Sequence, residues 1–263
     1  MKGLITLYRR ELASLFYAPM GWLLLVLALL GNGLVFWAFL AGAQGNVSLA
    51  LASAMGRGWF FWLFLVFLPP LLCMRLLAEE SRTGTLEYLL TAPISDGAVV
   101  LAKFLAATTF MVLLWLSVPV YGLILQANGV APDWGAMTSG FLGTVLLSGL
   151  FVSLSMFASS LFQAPLLAAF FGILGSAVWL ILPGLLDLVM AQLRNLLAAQ
   201  IGDWSRAEAW LGNAIESMDV LKHFGQSFLP GVFDSAELVF FLTWTGFFLF
   251  LAIRSLESRR WRA

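Results

Sequence analysis

Five long stretches without a charged side chain constrain this sequence more than any other feature. No Asp, Glu, Lys or Arg occurs in residues 12–56, 58–74, 104–132, 134–186 or 238–253. A helix needs about 20 mostly apolar residues to cross a hydrocarbon core of about 30 Å. With its flanking residues, each stretch is long enough for at least one crossing, so the sequence predicts membrane-spanning segments.

The composition supports the same class of protein. Apolar residues make up 61% of the 263 residues and charged residues only 11%, whereas a soluble domain has about 25% charged residues. A water-soluble globule is therefore excluded. Because backbone groups in hydrocarbon need partners within their own segment, the continuous apolar runs predict helices. An outer-membrane barrel shows short alternating segments instead.

The predicted fold is an all-α integral membrane protein with one transmembrane domain over residues 1–263. The 134–186 stretch is too long for one crossing, and the sequence Gln163-Ala164-Pro165 divides it. Six spans follow, at about 19–41, 58–78, 98–125, 137–160, 165–186 and 236–254.

Several helix starts carry local signals. Ser95 has the chemistry of an N-cap for the third span, and Pro165 suits the first turn of the fifth, where its missing N–H costs nothing. Asp234 and Glu237 have the spacing of a capping box before the sixth span.

Residues 2–17 have the pattern of an amphipathic helix. Leu4, Tyr8 and Leu12 share one face, and Arg9 lies elsewhere. The pattern predicts a helix in the membrane interface before Pro19 begins the first span. A simple extension of that span is the alternative.

The loop over residues 79–93 is the most charged short stretch of the chain. Thr85 can cap a short helix that Pro93 ends, and three leucines give this helix an apolar stripe (Leu86, Leu89 and Leu90). Periodicity leaves two interpretations open: the stripe packs onto the spans, or it docks into a soluble partner.

Residues 187–235 form the other sizeable segment outside the spans. Their apolar spacing suggests amphipathic helices over 188–201 and 207–224, with Trp204 and Trp210 as border residues. A lid on the outer mouth and a hairpin lying in the interface both fit this pattern.

Lys and Arg set the predicted orientation. With the N-terminus inside, the inner segments hold ten basic residues and the outer segments four, so both termini are expected in the cytoplasm. The four outer residues are Arg57, Arg194, Arg206 and Lys222.

Other function classes lack their sequence features. The net charge is zero, and the single Cys73 and single His223 offer neither a disulfide framework nor a multi-histidine metal site. None of the three lysines lies in a phosphate-binding loop motif, so the chain is not expected to be an ATPase or another enzyme. The span centres carry no ionisable residue, which disfavours a secondary transporter.

Residues 74–93 resemble ABC-2 type transporter permeases, and they are most similar to the gliding-motility F-type branch, which is related to permeases of copper-site maturation systems. Residues 9–19 are similar to that family's N-terminal elbow helix. The segments 223–234 and 255–260 are similar to the family's C-terminal part.

The resemblance implies six transmembrane helices, an elbow helix and a coupling helix between spans 2 and 3. The apolar spacing within 187–235 adds a helical outer loop between spans 5 and 6. The resemblance implies two copies of a cytoplasmic ATPase, which would hold ATP and Mg²⁺, while this chain holds no cofactor or metal. It also implies a second permease copy or paralogue, an anchored extracytoplasmic auxiliary protein, and the bacterial inner membrane as the location.

The resemblance assigns residues to these roles. The ATPase-coupling residues are Glu79, Glu80, Arg82, Gly84, Thr85, Leu86, Glu87, Leu89, Leu90 and Pro93. The elbow residues are Arg10, Glu11, Phe16 and Pro19. Small residues recur every fourth position on the fifth span and indicate close helix packing; we expect a subunit contact there, with packing inside one subunit as the alternative (Ala164, Ala168, Gly172 and Ser176).

The sequence therefore predicts the permease subunit of an ABC-2 exporter that a separate ATPase drives. A secondary transporter and a non-transporting scaffold for membrane assembly are the alternatives.

Overall fold

A computed structural model describes residues 2–42, 46–83, 95–197 and 205–260. Within these ranges every regular element is helical and no strand occurs. Six helical segments are long and apolar enough to cross a membrane, which confirms the predicted fold class. Spans 1 to 6 are Pro19–Gly42, Val47–Arg82, Asp96–Ala127, Trp134–Leu161, Pro165–Leu193 and Ser235–Ser258.

The remaining elements flank these spans. An N-terminal helix covers Lys2–Tyr17, the same segment that the amphipathic pattern marks. Beyond span 5 the chain forms the helices Ser205–Glu216 and Val220–His223 and the wide helical turn Phe224–Phe228. The N-terminal helix and the ends of spans 2 and 6 belong to one end of the bundle, here called the terminal end. The opposite end is called the distal end.

The helix starts follow the local signals in most respects. Ser95 Oγ accepts a hydrogen bond from the Ala98 amide at 3.3 Å, and span 5 begins at Pro165. Asp234 Oδ1 accepts from the Ala236 amide at 2.9 Å, which confirms the N-cap. The reciprocal half of the capping box was wrong, because the Glu237 carboxylate bonds to other side chains, described below.

Span 4 lies at the centre of the bundle and contacts spans 2, 3, 5 and 6. Its buried face is rich in small residues, including Ser139-Gly140 and Ser148-Gly149. Small side chains let neighbouring helices approach closely. Ser148 Oγ also accepts a hydrogen bond from the buried Trp115 indole at 2.9 Å.

Span 2 departs from its predicted start at 58. The structure places a short helix, Val47–Ala52, and a wide turn, Ser53–Arg57, before the helix Trp59–Cys73. Asn46 caps the short helix by accepting from the Leu49 amide at 3.1 Å. Four apolar side chains of this segment are buried, so it is part of the core (Ala50, Leu51, Ala54 and Met55).

Span 3 differs from its prediction in the middle, and the fifth helix differs at its end. Span 3 consists of Asp96–Trp115 and Ser117–Ala127, since Pro119 cannot donate to the carbonyl four residues earlier. The fifth helix continues unbroken to Leu197. The separate helix expected over 188–201 was therefore wrong as far as 197, because the helix accommodates Pro183 and continues past it.

Candidate functional site: a charge cluster at the terminal end

The loop that the resemblance assigns to ATPase coupling begins inside the described chain. Span 2 ends in the wide turn Arg75–Glu79 and the short helix Glu80–Thr83. Arg75 Nε lies 3.7 Å from Glu79 Oε2, one helical turn along, and both side chains are partly exposed. The predicted residues Gly84, Thr85, Leu86, Glu87, Leu89, Leu90 and Pro93 lie outside the described residues.

Glu80 joins a cluster of ionised groups, here called the charge cluster, together with Arg10, Glu11 and Lys103. Lys103 Nζ lies 2.9 Å from Glu80 Oε1 and 3.1 Å from Glu11 Oε2. The Lys103 side chain is 0% exposed. Burying an ammonium is costly unless the charge is paired, and here two carboxylates supply that pairing.

Arg10 completes the cluster from its exposed side. Its guanidinium donates to Glu11 Oε1 at 2.6 Å and to Glu80 Oε1 at 3.3 Å. The Arg10 side chain is 54% exposed, whereas that of Glu11 is 7% exposed. Two cations thus balance two anions, and the charge cluster is neutral as a whole.

The charge cluster joins three separate parts of the chain. Arg10 and Glu11 belong to the N-terminal helix, Glu80 to the end of span 2, and Lys103 to span 3. A contact outside the cluster also joins the N-terminal helix to span 3: the Tyr8 hydroxyl lies 3.1 Å from Thr109 Oγ1. The root of the 79–93 loop is therefore fixed to both the N-terminal helix and span 3.

The predicted elbow residues divide between this cluster and the apolar core. Arg10 and Glu11 are members of the charge cluster. Phe16 packs on Phe110 of span 3, with ring centroids 5.4 Å apart. Pro19 begins span 1.

Lys103 is the site residue that sequence reasoning missed. In the sequence it counted only as one of the ten basic residues expected on the inner side. The sequence did mark Lys103 as unusual, because it is the one charged residue between Asp96 and Asp133. A lysine so placed needs an anionic partner inside the protein, but the sequence alone does not say which one.

The ridge of small residues on span 5 faces the interior of the subunit. Ala168 and Ser176 are buried, and Gly172 approaches Pro70 so closely that a Cβ there would lie 3.0 Å from the ring. Ala164 is half-buried. This placement favours the alternative of packing inside one subunit, since the covered positions have no surface left for a second copy.

A second structured region closes the distal end. Residues 219–231, here called the distal plug, insert two fully buried rings into the bundle, Phe224 and Phe228. Phe224 stacks on Phe61 with centroids 5.6 Å apart. Phe228 lies directly over Gly143 of span 4, where a side chain would collide with it.

One polar pair holds the distal plug to span 6. His223 Nδ1 lies 2.8 Å from Glu237 Oε2, and Ser227 Oγ donates to Glu237 Oε1 at 3.3 Å. The imidazole also stacks on Phe240 at 4.0 Å. Glu237 therefore joins the plug to span 6, whereas the sequence assigned it to a capping box.

Among the described residues no three His, Cys, Asp or Glu side chains form a candidate metal site.

The six spans define a multi-pass helical membrane protein, and the charge cluster joins its N-terminal helix and span 3 to the root of the charged loop between spans 2 and 3. Residues 17–182 match the family model described as ABC-2 family transporter protein. Because this match covers more than half of the chain, the protein belongs to the ABC-2 transporter family. A search of curated proteins finds no match to the chain.

Family membership defines the general role. ABC-2 permeases are transmembrane subunits, are not themselves ATPases, and generally work with a cytoplasmic ATPase. The matched range includes the 79–93 loop and ends before the 223–234 and 255–260 segments. The resemblance in those two segments, and the gliding-motility F-type branch, stay predictions.

Proposed function

We propose that this chain is the permease subunit of an ATP-driven exporter of the bacterial inner membrane, with both termini in the cytoplasm. Two copies of a separate ATPase would bind the 79–93 loop, and a second permease copy or paralogue would complete the transporter. The branch resemblance adds an anchored extracytoplasmic protein as a partner at the distal end. ATP and Mg²⁺ would be held by the ATPase.

The observation that carries the proposal is the charge cluster at the root of the loop. If the ATPase pushes on the 79–93 loop, Glu80 transmits the push into the bundle, because it is paired with Lys103 and Arg10. Because Glu80 is paired with the buried Lys103 and shares it with Glu11, separating these groups would leave charges unpaired in a poorly solvated place. The loop, the N-terminal helix and span 3 are therefore expected to move as one unit when the ATPase closes.

The first experiment tests whether the loop binds an ATPase. Leu86→Asp combined with Leu89→Asp places two carboxylates on the predicted apolar stripe. We expect co-purification with the cognate ATPase to be lost. Assembly and ATP-dependent transport at wild-type levels would contradict the proposal, and transport driven by an ion gradient without the ATPase would favour a secondary transporter.

The second experiment tests transmission through the charge cluster. Lys103→Met combined with Glu80→Gln removes one charge of each sign, so the fold is expected to survive with Arg10 still paired to Glu11. We expect the ATPase to bind normally but to lose its stimulation by the permease. The matched control is the exposed pair Arg254 and Glu257 at the same end, 2.7 Å apart, changed to Gln in both positions.

A third experiment separates the two interpretations of the span 5 ridge. Gly172→Leu is expected to cost about 1–3 kcal/mol of subunit stability, the usual cost of overpacking a tight contact. Gly184→Leu is the control on the same helix, because no atom lies near its missing Cβ. Loss of the dimer by a stable Gly172→Leu protein would instead place the subunit contact at the ridge.

A further inference from the structure

A pocket of about 460 Å³ opens at the distal end, here called the distal pocket. Its walls are the segment leading into span 2, the start of span 4 and the end of the distal plug. Its volume falls within the range of about 300–1,000 Å³ that is typical of small-molecule sites. Its charged lining residues are Arg57 and Asp133, and its polar ones include Asn46 and Ser48.

Arg57 is presented to this pocket by a turn that packing and hydrogen bonds hold in place. Gly56 has φ +128°, a conformation open to glycine but rarely to other residues. Phe224 covers Gly56 from behind. Asn32 Nδ2 donates to the Ala54 carbonyl at 3.2 Å, and the Trp62 indole donates to the Gly56 carbonyl at 2.8 Å.

The Arg57 guanidinium is exposed and makes no hydrogen bond or ion pair with any residue that the structure describes. A fixed turn therefore presents an unpaired cation to a concave site. Arginine binds phosphate and carboxylate groups with two parallel hydrogen bonds, so this wall of the pocket suits an anionic group.

The opposite charge comes from Asp133. Its Oδ1 caps span 4 by accepting from the amides of Gly135 at 3.0 Å and Ala136 at 3.2 Å. Oδ2 makes no hydrogen bond within the described residues. Arg57 and Asp133 line the same pocket without pairing with each other, so both charges are available to a ligand.

We propose that the distal pocket binds a small zwitterion of the phosphoethanolamine class, with its phosphate on Arg57 and its ammonium group on Asp133. A ligand with one sign of charge would be attracted by one wall and repelled by the other. The same group occurs in a lipid headgroup and in a free solute. This site does not depend on the proposed exporter function.

The first test measures the thermal unfolding of the full chain in detergent micelles with O-phosphoethanolamine. We expect a saturable rise in the unfolding temperature, and a weaker effect from inorganic phosphate or ethanolamine alone. Arg57→Gln and Asp133→Asn should each weaken the apparent affinity about ten-fold or more, since a charged hydrogen bond is lost. Asn retains the N-cap, so the second variant keeps the helix start.

Arg75→Gln at the terminal end is the control, and its affinity should equal that of the wild type. A second measurement, native mass spectrometry, compares retention of phosphatidylethanolamine and phosphatidylglycerol. Selective retention of phosphatidylethanolamine that both variants lose identifies a lipid headgroup; a response to the soluble probe alone identifies a free solute. The proposal is overturned if neither probe binds or if binding survives both variants.

Discussion

The two ends of this bundle are held together by different forces. At the terminal end, three chain segments meet through the buried ion pairs of Lys103 with Glu11 and Glu80. At the distal end, the plug is held mainly by the packing of Phe224 and Phe228. A charge pair depends on the sign of each group, whereas ring packing depends on shape. Removing a charge should therefore destabilise mainly the terminal end, and changing side-chain volume should destabilise mainly the distal end.

The two kinds of contact also respond differently to salt and to movement. Buried ion pairs are screened by salt much less than exposed ones, so the terminal junction stays closed at ordinary ionic strength. Separating its charges would leave them unpaired in a poorly solvated place, so we expect this junction to transmit movement without coming apart. The distal plug is expected to be rigid, because its two rings are packed in the interior of the bundle.

The largest expected effect comes from removing the buried cation. Lys103→Met leaves Glu11 and Glu80 close together with only Arg10 to balance them. Breaking a buried pair by removing one partner typically costs about 3–5 kcal/mol. The measurement is the free energy of unfolding of the purified chain in mixed micelles.

Lys222→Met is the matched control for this prediction, because the Lys222 side chain is 39% exposed and its partners Asp187 and Glu216 are more so. Its loss should change stability by less than about 1 kcal/mol. Adding Glu11→Gln and Glu80→Gln to Lys103→Met should recover part of the lost stability. A Lys103→Met protein as stable as the control would show that the terminal end is also held by packing.

The second-largest expected effect tests the ring packing at the distal end. Gly56→Ala must adopt positive φ and also meet Phe224, whereas Gly129→Ala must adopt positive φ with open space around it. The control should lose about 1 kcal/mol from backbone strain. Gly56→Ala should lose roughly 1–2 kcal/mol more from overpacking. Equal losses in the same unfolding measurement would mean that the plug yields easily and is not rigid.

The sequence predicted best what depends on local chemistry. The charge-free runs located the spans, and the caps at Ser95 and Asp234 required only the residues next to them. Lys103 was visible as an isolated charge, but its partners lie far away in the sequence, and only tertiary packing brings Glu11 and Glu80 to it. Its role in the site was therefore not predictable.

Three other features have a related cause. Small residues at every fourth position allow close packing with any helix, so the spacing did not distinguish Pro70 of the same chain from a second subunit. The segments 47–57 and 219–231 are too short to show a clear period, and their burial depends on the cavity that the spans leave. Glu237 had the right spacing for a capping box, yet His223 is brought to it by the fold.

The smallest effect sharpens the comparison at its weakest point, the polar pair that joins the distal plug to span 6. The structure puts His223 Nδ1 2.8 Å from Glu237 Oε2, with both side chains mostly buried. A double-mutant cycle with His223→Gln and Glu237→Gln should give a coupling energy of about 1 kcal/mol, the usual net value of one hydrogen bond. The exposed pair Arg254 and Glu257 should give no more than about 0.5 kcal/mol. A His223–Glu237 coupling as large as the effect of Lys103→Met would mean that charge also dominates the distal end, and the contrast between the two ends would be lost.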